Sequence, residues 1–385
     1  MDSINNTPIT QFLLSKAAAL NIPVSGTFEL SPVCNFSCRM CYIRKTQKEV
    51  NAHTRPQVTL EQWLELAKDA KEKGTLFLLL TGGEPFLWPD FWRLYEELIR
   101  MGFLISINSN SSMIDEQVVR RLKKLPPKRI NITLYGASDE TYEALCGVKG
   151  VFEKVDRGIQ MLLDAGIAVR LNCSLTPANA GDLKAITDYA KEKNVTLKIA
   201  GYMFPPLRRT EEIVTADYRF TPKEYAEYMM KSHLFQQGEE AYQEILKSIK
   251  YKTTPPPGLE EFCQNSLNGS IKCQAGKTNF WVTWDGYLTP CGMMPEPKIN
   301  LYQYGFSESW DYLVEQSEQV AVSGTCHTCP NQKFCHSCAA VAMAETGTSE
   351  GIPTYLCKTV EELQRIADEK LTDEIENLGK GEKEK

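Results

Sequence analysis

Cys34-Asn35-Phe36-Ser37-Cys38-Arg39-Met40-Cys41-Tyr42 spaces three cysteines by three residues and then two, with an aromatic directly after the third. A [4Fe–4S] cube has four irons and normally takes four thiolates. A tight group of three leaves one iron with an open coordination position. An open iron can bind a substrate or cosubstrate directly, whereas a closed site holds structure or passes electrons. Structural zinc takes four nitrogen or sulfur ligands. No fourth candidate stands near this run, so its spacing favours an open cluster over a zinc knuckle.

A second signal lies one β–α unit further on. Phe77-Leu78-Leu79-Leu80 reads as a buried strand, and Thr81-Gly82-Gly83-Glu84-Pro85 follows at its end. Glycines there let the backbone approach a ligand more closely than side chains would allow. The two motifs together resemble the radical S-adenosylmethionine (SAM) superfamily. That resemblance implies that the amino and carboxylate groups of SAM chelate the open iron of a cluster held by Cys34, Cys38 and Cys41. One electron then cleaves SAM to methionine and a 5′-deoxyadenosyl radical. It further implies that Tyr42 packs on the adenine and that the backbone of Gly82, Gly83 and Glu84 binds the amino group. Asn108 and Asn110 would reach the ribose or methionyl group, and Thr133 the carboxylate. Arg170 and Asn172, two apart on one strand and therefore on one side of it, would also face SAM. No catalytic acid or base is assigned.

The rest of the chain fits this reading. From 22 to 204, short apolar runs alternate with amphipathic stretches. Strands are expected at 27–30, 77–80, 103–108, 129–134, 168–175 and 196–200. Helices are expected at 60–73, 90–101, 115–125, 151–165 and 180–193, several of them ended by glycine or proline. Strict alternation implies parallel strands with right-handed crossovers. The expected fold class is α/β, a partial (β/α)6 TIM-type barrel followed by a cysteine-rich iron–sulfur domain. Parallel barrels gather active sites at the C-terminal strand ends, where all the motifs above fall. The expected division is an N-terminal segment (1–22), the barrel (23–205), a helical bridge (206–262), the cysteine-rich domain (263–360) and a C-terminal helix with a charged tail (361–385).

The chain has 385 residues, and its 43 basic against 49 acidic side chains leave it at −6. That balance argues against nonspecific nucleic-acid binding, which needs a basic footprint. No apolar run has transmembrane length, and the start lacks a signal-peptide core. A cytoplasmic protein is expected, and there thirteen cysteines point to metal or catalysis rather than disulfides. Cys146 and Cys173 stand apart and read as small buried hydrophobes.

The remaining eight cysteines form a second group. Cys273 precedes Gly286 and Cys291, then come Cys326-x2-Cys329-x5-Cys335-x2-Cys338, and finally Cys357. Zinc ribbons separate such pairs by roughly fifteen to twenty residues, far more than here, and one zinc cannot employ eight thiols. The pattern resembles the SPASM extension of radical SAM enzymes, which carries one or two auxiliary [4Fe–4S] clusters. By that resemblance Cys326, Cys329, Cys335 and Cys357 hold an outer cluster. Cys273, Cys291 and Cys338 hold an inner one, with Cys263 as a possible fourth ligand or the cluster left open. The knot departs from the usual spacing between Cys335 and Cys338. Asp285-Gly286 reads as a hairpin turn.

SPASM-bearing enzymes mostly modify ribosomally made peptides, so the implied substrate is a peptide. The implied product is an oxidised side chain or a thioether or carbon–carbon crosslink. Sulfatase-maturating relatives carry an Asp after the second SPASM cysteine, where this chain has Gly292, which argues against formylglycine formation. About thirty residues precede the cluster loop, so leader recognition would fall to a separate protein or to another surface of this one. A flavodoxin- or ferredoxin-type donor would supply electrons. Arg208 and Arg209 could clamp an acidic substrate. The alternatives are a radical SAM dehydrogenase or cofactor-maturation enzyme acting on a small molecule and, from another class, an iron–sulfur electron carrier or redox sensor. The last would not need Gly82-Gly83-Glu84.

Overall fold

The computed structural model describes residues 8–205, 208, 218–254, 271 and 273–381. α1 (Pro8–Ala19) leads into β1 (Ser25–Glu29), and the cysteine run follows as a loop before α2 (Gln47–Asn51). Then come α3 (Leu60–Glu72), β2 (Phe77–Thr81), α4 (Phe91–Arg100), β3 (Leu104–Ser109), α5 (Glu116–Lys124) and β4 (Arg129–Thr133). α6 (Asp139–Cys146), α7 (Phe152–Asp164), β5 (Val169–Ser174), α8 (Leu183–Glu192) and β6 (Leu197–Ala200) complete the barrel. All six expected strands are present. The helix expected at 180–193 opens as a single 3₁₀ turn before α8 begins.

Local chemistry explains these elements. Thr59 caps α3 in a box with Gln62, satisfying amides that the first turn leaves free. Leu60, Trp63, Ala67 and Ala70 are buried at helical spacing, so that face meets the sheet, where Trp63 lies 4.7 Å from Phe28. α6 is an addition to the expected set. Ser138 caps its start, and Gly147, in the left-handed region at φ 65°, ends it, a conformation glycine adopts without strain.

The sheet has nine strands in the order β6-β5-β4-β3-β2-β1-β7-β8-β9, with all neighbours from β6 to β7 parallel. β7 (Asn279–Val282), β8 (Tyr287–Thr289) and β9 (Ile299–Asn300) come from the cysteine-rich region. β7 pairs with β1 from Ser25↔Asn279 to Phe28↔Val282, so that region extends the barrel sheet instead of starting a separate one. Gly26 makes this possible, because a Cβ there would sit 2.1 Å from the Phe280 ring. Phe280 then packs on Phe306 and Trp310 of α11 (Leu301–Glu318). The β7–β8 connection is a tight turn at Asp285-Gly286, where the Gly286 amide donates to the Thr283 carbonyl at 2.9 Å.

α9 (Pro222–Gln237), α10 (Glu239–Lys250) and α14 (Thr354–Gly381) enclose a second apolar core through Met230, Ile245, Leu246, Leu363 and Ala367. α12 (Gly324–His327) and α13 (Ala339–Thr346) carry the four-cysteine knot between them. The expected boundary at 360 falls inside α14, because Cys357 and the apolar residues after it share one continuous helix.

Candidate active site

Along each barrel strand the side chains alternate. Phe28, Leu80, Ile107, Ile132 and Leu171 are fully buried toward the helices, which turns their neighbours into the barrel. Most of those neighbours are polar, Leu79 on β2 being an exception. Asn131 donates to Asn108 at 2.8 Å, and Asn108 donates to Thr81 Oγ1 at 3.3 Å. Asn131 stands in register with Arg170, and Thr133 with Asn172. Asn131 Oδ1 is buried without a hydrogen-bond partner, a group that a polar ligand in the barrel would satisfy. Asn131 was not among the sequence candidates. Its strand position is its signal, two residues before Thr133 on the same face.

The cysteine loop is gripped from two sides. On one side Gly83 donates to the Ser31 carbonyl at 2.7 Å and Glu84 to that of Val33 at 3.0 Å. A Cβ on Gly83 would lie 2.2 Å from Val33 O, and one on Gly82, at φ 141°, 2.3 Å from Ser31 O. These glycines therefore admit the cysteine loop itself, and the ligand only by extension. Gly83→Ala is expected to push the two loops apart. SAM affinity should fall at least tenfold by isothermal titration, while far-ultraviolet circular dichroism keeps its barrel signature; unchanged affinity would refute this.

On the other side the C-terminus of α6 accepts from the loop. Ser37 donates to Cys146 O at 2.8 Å and Arg39 to Leu145 O at 3.0 Å. Cys146 is fully buried, but it is not isolated as its sequence position suggests, because its free thiol shares a hydrogen bond with that of Cys38. Cys173 is buried on β5, 3.9 Å from the Asn179 amide.

Glu84 is 1% exposed, and its carboxylate is taken up by groups of the protein itself. It accepts from the Asn110 amide at 2.8 Å, from Ser109 Oγ at 3.0 Å and from the Phe86 amide at 3.3 Å. Burial pushes this carboxyl up to about 7, and the three donors oppose the shift. The Glu84 side chain therefore fixes the turn after β3.

The thiols fit a cluster. Burial pushes Cys34 up to about 12, the Phe36 amide opposes this, and Glu84, Cys38 and Cys41 push it further. A thiol held up in this way becomes a thiolate beside strong positive charge, which iron supplies. Among the described residues no three His, Cys, Asp or Glu side chains converge for a single metal ion; a cube, with one thiolate per corner, does not require it.

The second cysteine group gathers in two places. Cys326, Cys329 and Cys357 each add to the rise of Cys335, which burial drives to about 11. Cys273 and Cys338 do the same for Cys291, which burial takes to about 12. Cys263 lies outside the described residues, as does Arg209.

Between the two cysteine regions lies a buried polar cluster that sequence reading missed. Glu29, at the C-terminal end of β1, is fully buried. Arg208 grips its carboxylate with two bonds of 2.8 and 2.6 Å, and Trp281 Nε1 donates to it at 2.9 Å. Arg208 is thus committed to Glu29 and is not a free clamp for an acidic substrate. Tyr42 sits here too. Burial drives its hydroxyl far up, Glu29 adding and Arg208 opposing, with Cys41 and Cys291 both in electrostatic reach. Gly292 packs on the other side of Trp281, where a Cβ would lie 2.8 Å from the indole.

Comparison with known proteins agrees with this geometry. Residues 28–190 match the model of the Radical SAM superfamily. The AdoMet-dependent heme synthase of Methanosarcina barkeri is 24% identical over 346 residues, covering 86% of this chain and 95% of that protein. Mycofactocin maturase MftC of Mycobacterium tuberculosis is 23% identical over 348 residues, covering 89% and 84%. The solved structure of anSMEcpe with AdoMet and the Kp18Cys peptide superposes with a TM-score of 0.65 at 18% identity, covering 92% of this chain and 99% of that one. The chain thus carries a radical SAM domain over residues 28–190, and the radical SAM family is one of enzymes that bind a [4Fe–4S] cluster and SAM.

Proposed function

We propose that this enzyme cleaves SAM reductively and abstracts hydrogen from a ribosomally made peptide, giving an oxidised or crosslinked product. In this reading Cys34, Cys38 and Cys41 hold the cluster that supplies the radical chemistry. The backbone of Gly82–Glu84 holds the amino group of SAM. Asn108, Asn131, Thr133, Arg170 and Asn172 line the barrel around the rest of the molecule. Cys326, Cys329, Cys335 and Cys357 hold one auxiliary cluster, and Cys273, Cys291 and Cys338 another.

One observation carries the oxidative part: Tyr42 of the cluster loop lies within electrostatic reach of both Cys41 and Cys291. An electron acceptor at Cys291 would therefore border the space where hydrogen is removed. The maturase relative and the peptide-bound fold neighbour support a peptide. A second reading, chemistry on a tetrapyrrole, is favoured by the near-complete coverage of the heme synthase. Heme carries carboxylates, however, and Arg208 is already paired. Electrons would come from a flavodoxin- or ferredoxin-type donor. No helix among the described residues is long and apolar enough to cross a membrane.

Coexpression with each short open reading frame beside the gene, followed by mass spectrometry, tests the substrate. A peptide that loses two hydrogens supports the proposal, whereas turnover of an added porphyrin with no change in any peptide would replace it. Single Ala variants at Cys326, Cys329, Cys335 or Cys357 should still form 5′-deoxyadenosine, while product formation collapses. A folded variant that lacks the outer cluster but keeps full turnover would reject an electron-accepting role and leave metal-driven folding as its purpose.

A further inference from the structure

Asn110 reads from sequence as a SAM contact, yet its amide is turned the other way. Asn110 Oδ1 accepts from the Ser112 amide at 3.0 Å and from Ser112 Oγ at 2.7 Å. A backbone amide can only donate, so this contact fixes which end of the side chain is oxygen. The NH₂ end then faces the cysteine loop, donating to Asn35 Oδ1 at 2.9 Å and reaching Cys34 Sγ at 3.7 Å. Asn35 closes the ring by donating to Ser112 Oγ at 2.7 Å. Asn110 is 6% exposed, and its own amide is anchored on buried Glu84. Both ends of its amide and its backbone N–H are thus engaged.

We infer that Asn110 is a positioning residue for the SAM-binding cluster, donating an N–H···S hydrogen bond to Cys34 that raises the cluster's reduction potential, with Glu84 holding Asn110 in place. Hydrogen bonds to ligating sulfurs are a main protein lever on iron–sulfur potentials. They draw electron density from the thiolate and so favour the reduced, more negative cluster. Cys34 already receives the Phe36 amide at 3.4 Å. Asn110 adds a second donor, tied through Glu84 to the segment that borders SAM. The inference rests on the reading that Cys34, Cys38 and Cys41 hold the cluster.

The test is a redox titration of the SAM-free, reconstituted enzyme followed by electron paramagnetic resonance, with iron counted in every sample. Asn110→Leu keeps the shape and removes the donor. It should retain its iron and shift the reduction equilibrium about tenfold toward the oxidised cluster, about 59 mV for one electron. Asn110→Ser, too short to reach Cys34, should shift it equally. Asn108→Ala, one pleat into the barrel and bonded to Thr81 and Asn131, should leave the potential where it is. An unchanged potential in Asn110→Leu with weakened SAM binding would return Asn110 to a SAM contact and overturn the inference. Loss of iron in both Asn110 variants would overturn it too, since the residue would then build the site instead of tuning it. The underlying reading fails separately, if the triple cysteine variant keeps its iron.

Discussion

The triple variant Cys34→Ala/Cys38→Ala/Cys41→Ala is expected to lose about four of the roughly twelve irons that three filled cubes would contribute, and all SAM cleavage. The physical case is that burial and the neighbouring Cys38 and Cys41 push the Cys34 thiol up, a state that iron relieves. The loop that bears them is tied by backbone hydrogen bonds to β2 on one side and α6 on the other. Those bonds use no cysteine side chain, so the variant should fold. Anaerobic reconstitution with iron and sulfide counts, together with chromatographic detection of 5′-deoxyadenosine, gives both readouts. An unchanged iron count in a folded triple variant would remove Cys34, Cys38 and Cys41 as cluster ligands.

Glu29→Ala should be the most damaging single substitution for stability. Glu29 is fully buried and accepts two bonds from Arg208 and one from Trp281. Its removal leaves a largely buried guanidinium and an indole N–H without their acceptor. Breaking a buried pair from one side costs about 3–5 kcal/mol, because the remaining charge is uncompensated. Arg208→Ala strands the carboxylate and should cost a similar amount, reduced by the partial exposure of the arginine. The double variant should cost clearly less than the two singles added, as expected for groups that need one another. Urea denaturation under anaerobic conditions, followed by circular dichroism, measures all three. A Glu29→Ala loss within about 0.5 kcal/mol, the range of ordinary surface changes, would show that this cluster is not structural. The same pair joins β1, the segment after β6 and β7, so its loss should also disturb the wall between Tyr42 and Cys291.

Local signals were the most legible. The strands from β1 to β6 and most helices between them could be read from apolar periodicity, caps and terminal glycines, because each of these acts within a few residues. The cysteine spacings and Gly82-Gly83-Glu84 were equally plain, since metal ligands and close backbone approach tolerate few residue types. α6 was passed over because its eight residues carry little periodicity, although Ser138 and Gly147 mark both ends.

The chain by itself determined the succession of strands and helices along the barrel and the placing of the cysteine and glycine motifs at its C-terminal strand ends. Tertiary structure decided what each polar side chain faces. β7 joins β1 across roughly 250 residues of chain, a pairing licensed by the missing side chain at Gly26. Arg208 became the partner of Glu29, Cys146 moved beside Cys38, and Asn110 turned toward Cys34 because Ser112 holds its oxygen. None of these has a sequence signal, because a buried polar group must find a partner, and which partner lies within reach is set only when distant segments pack.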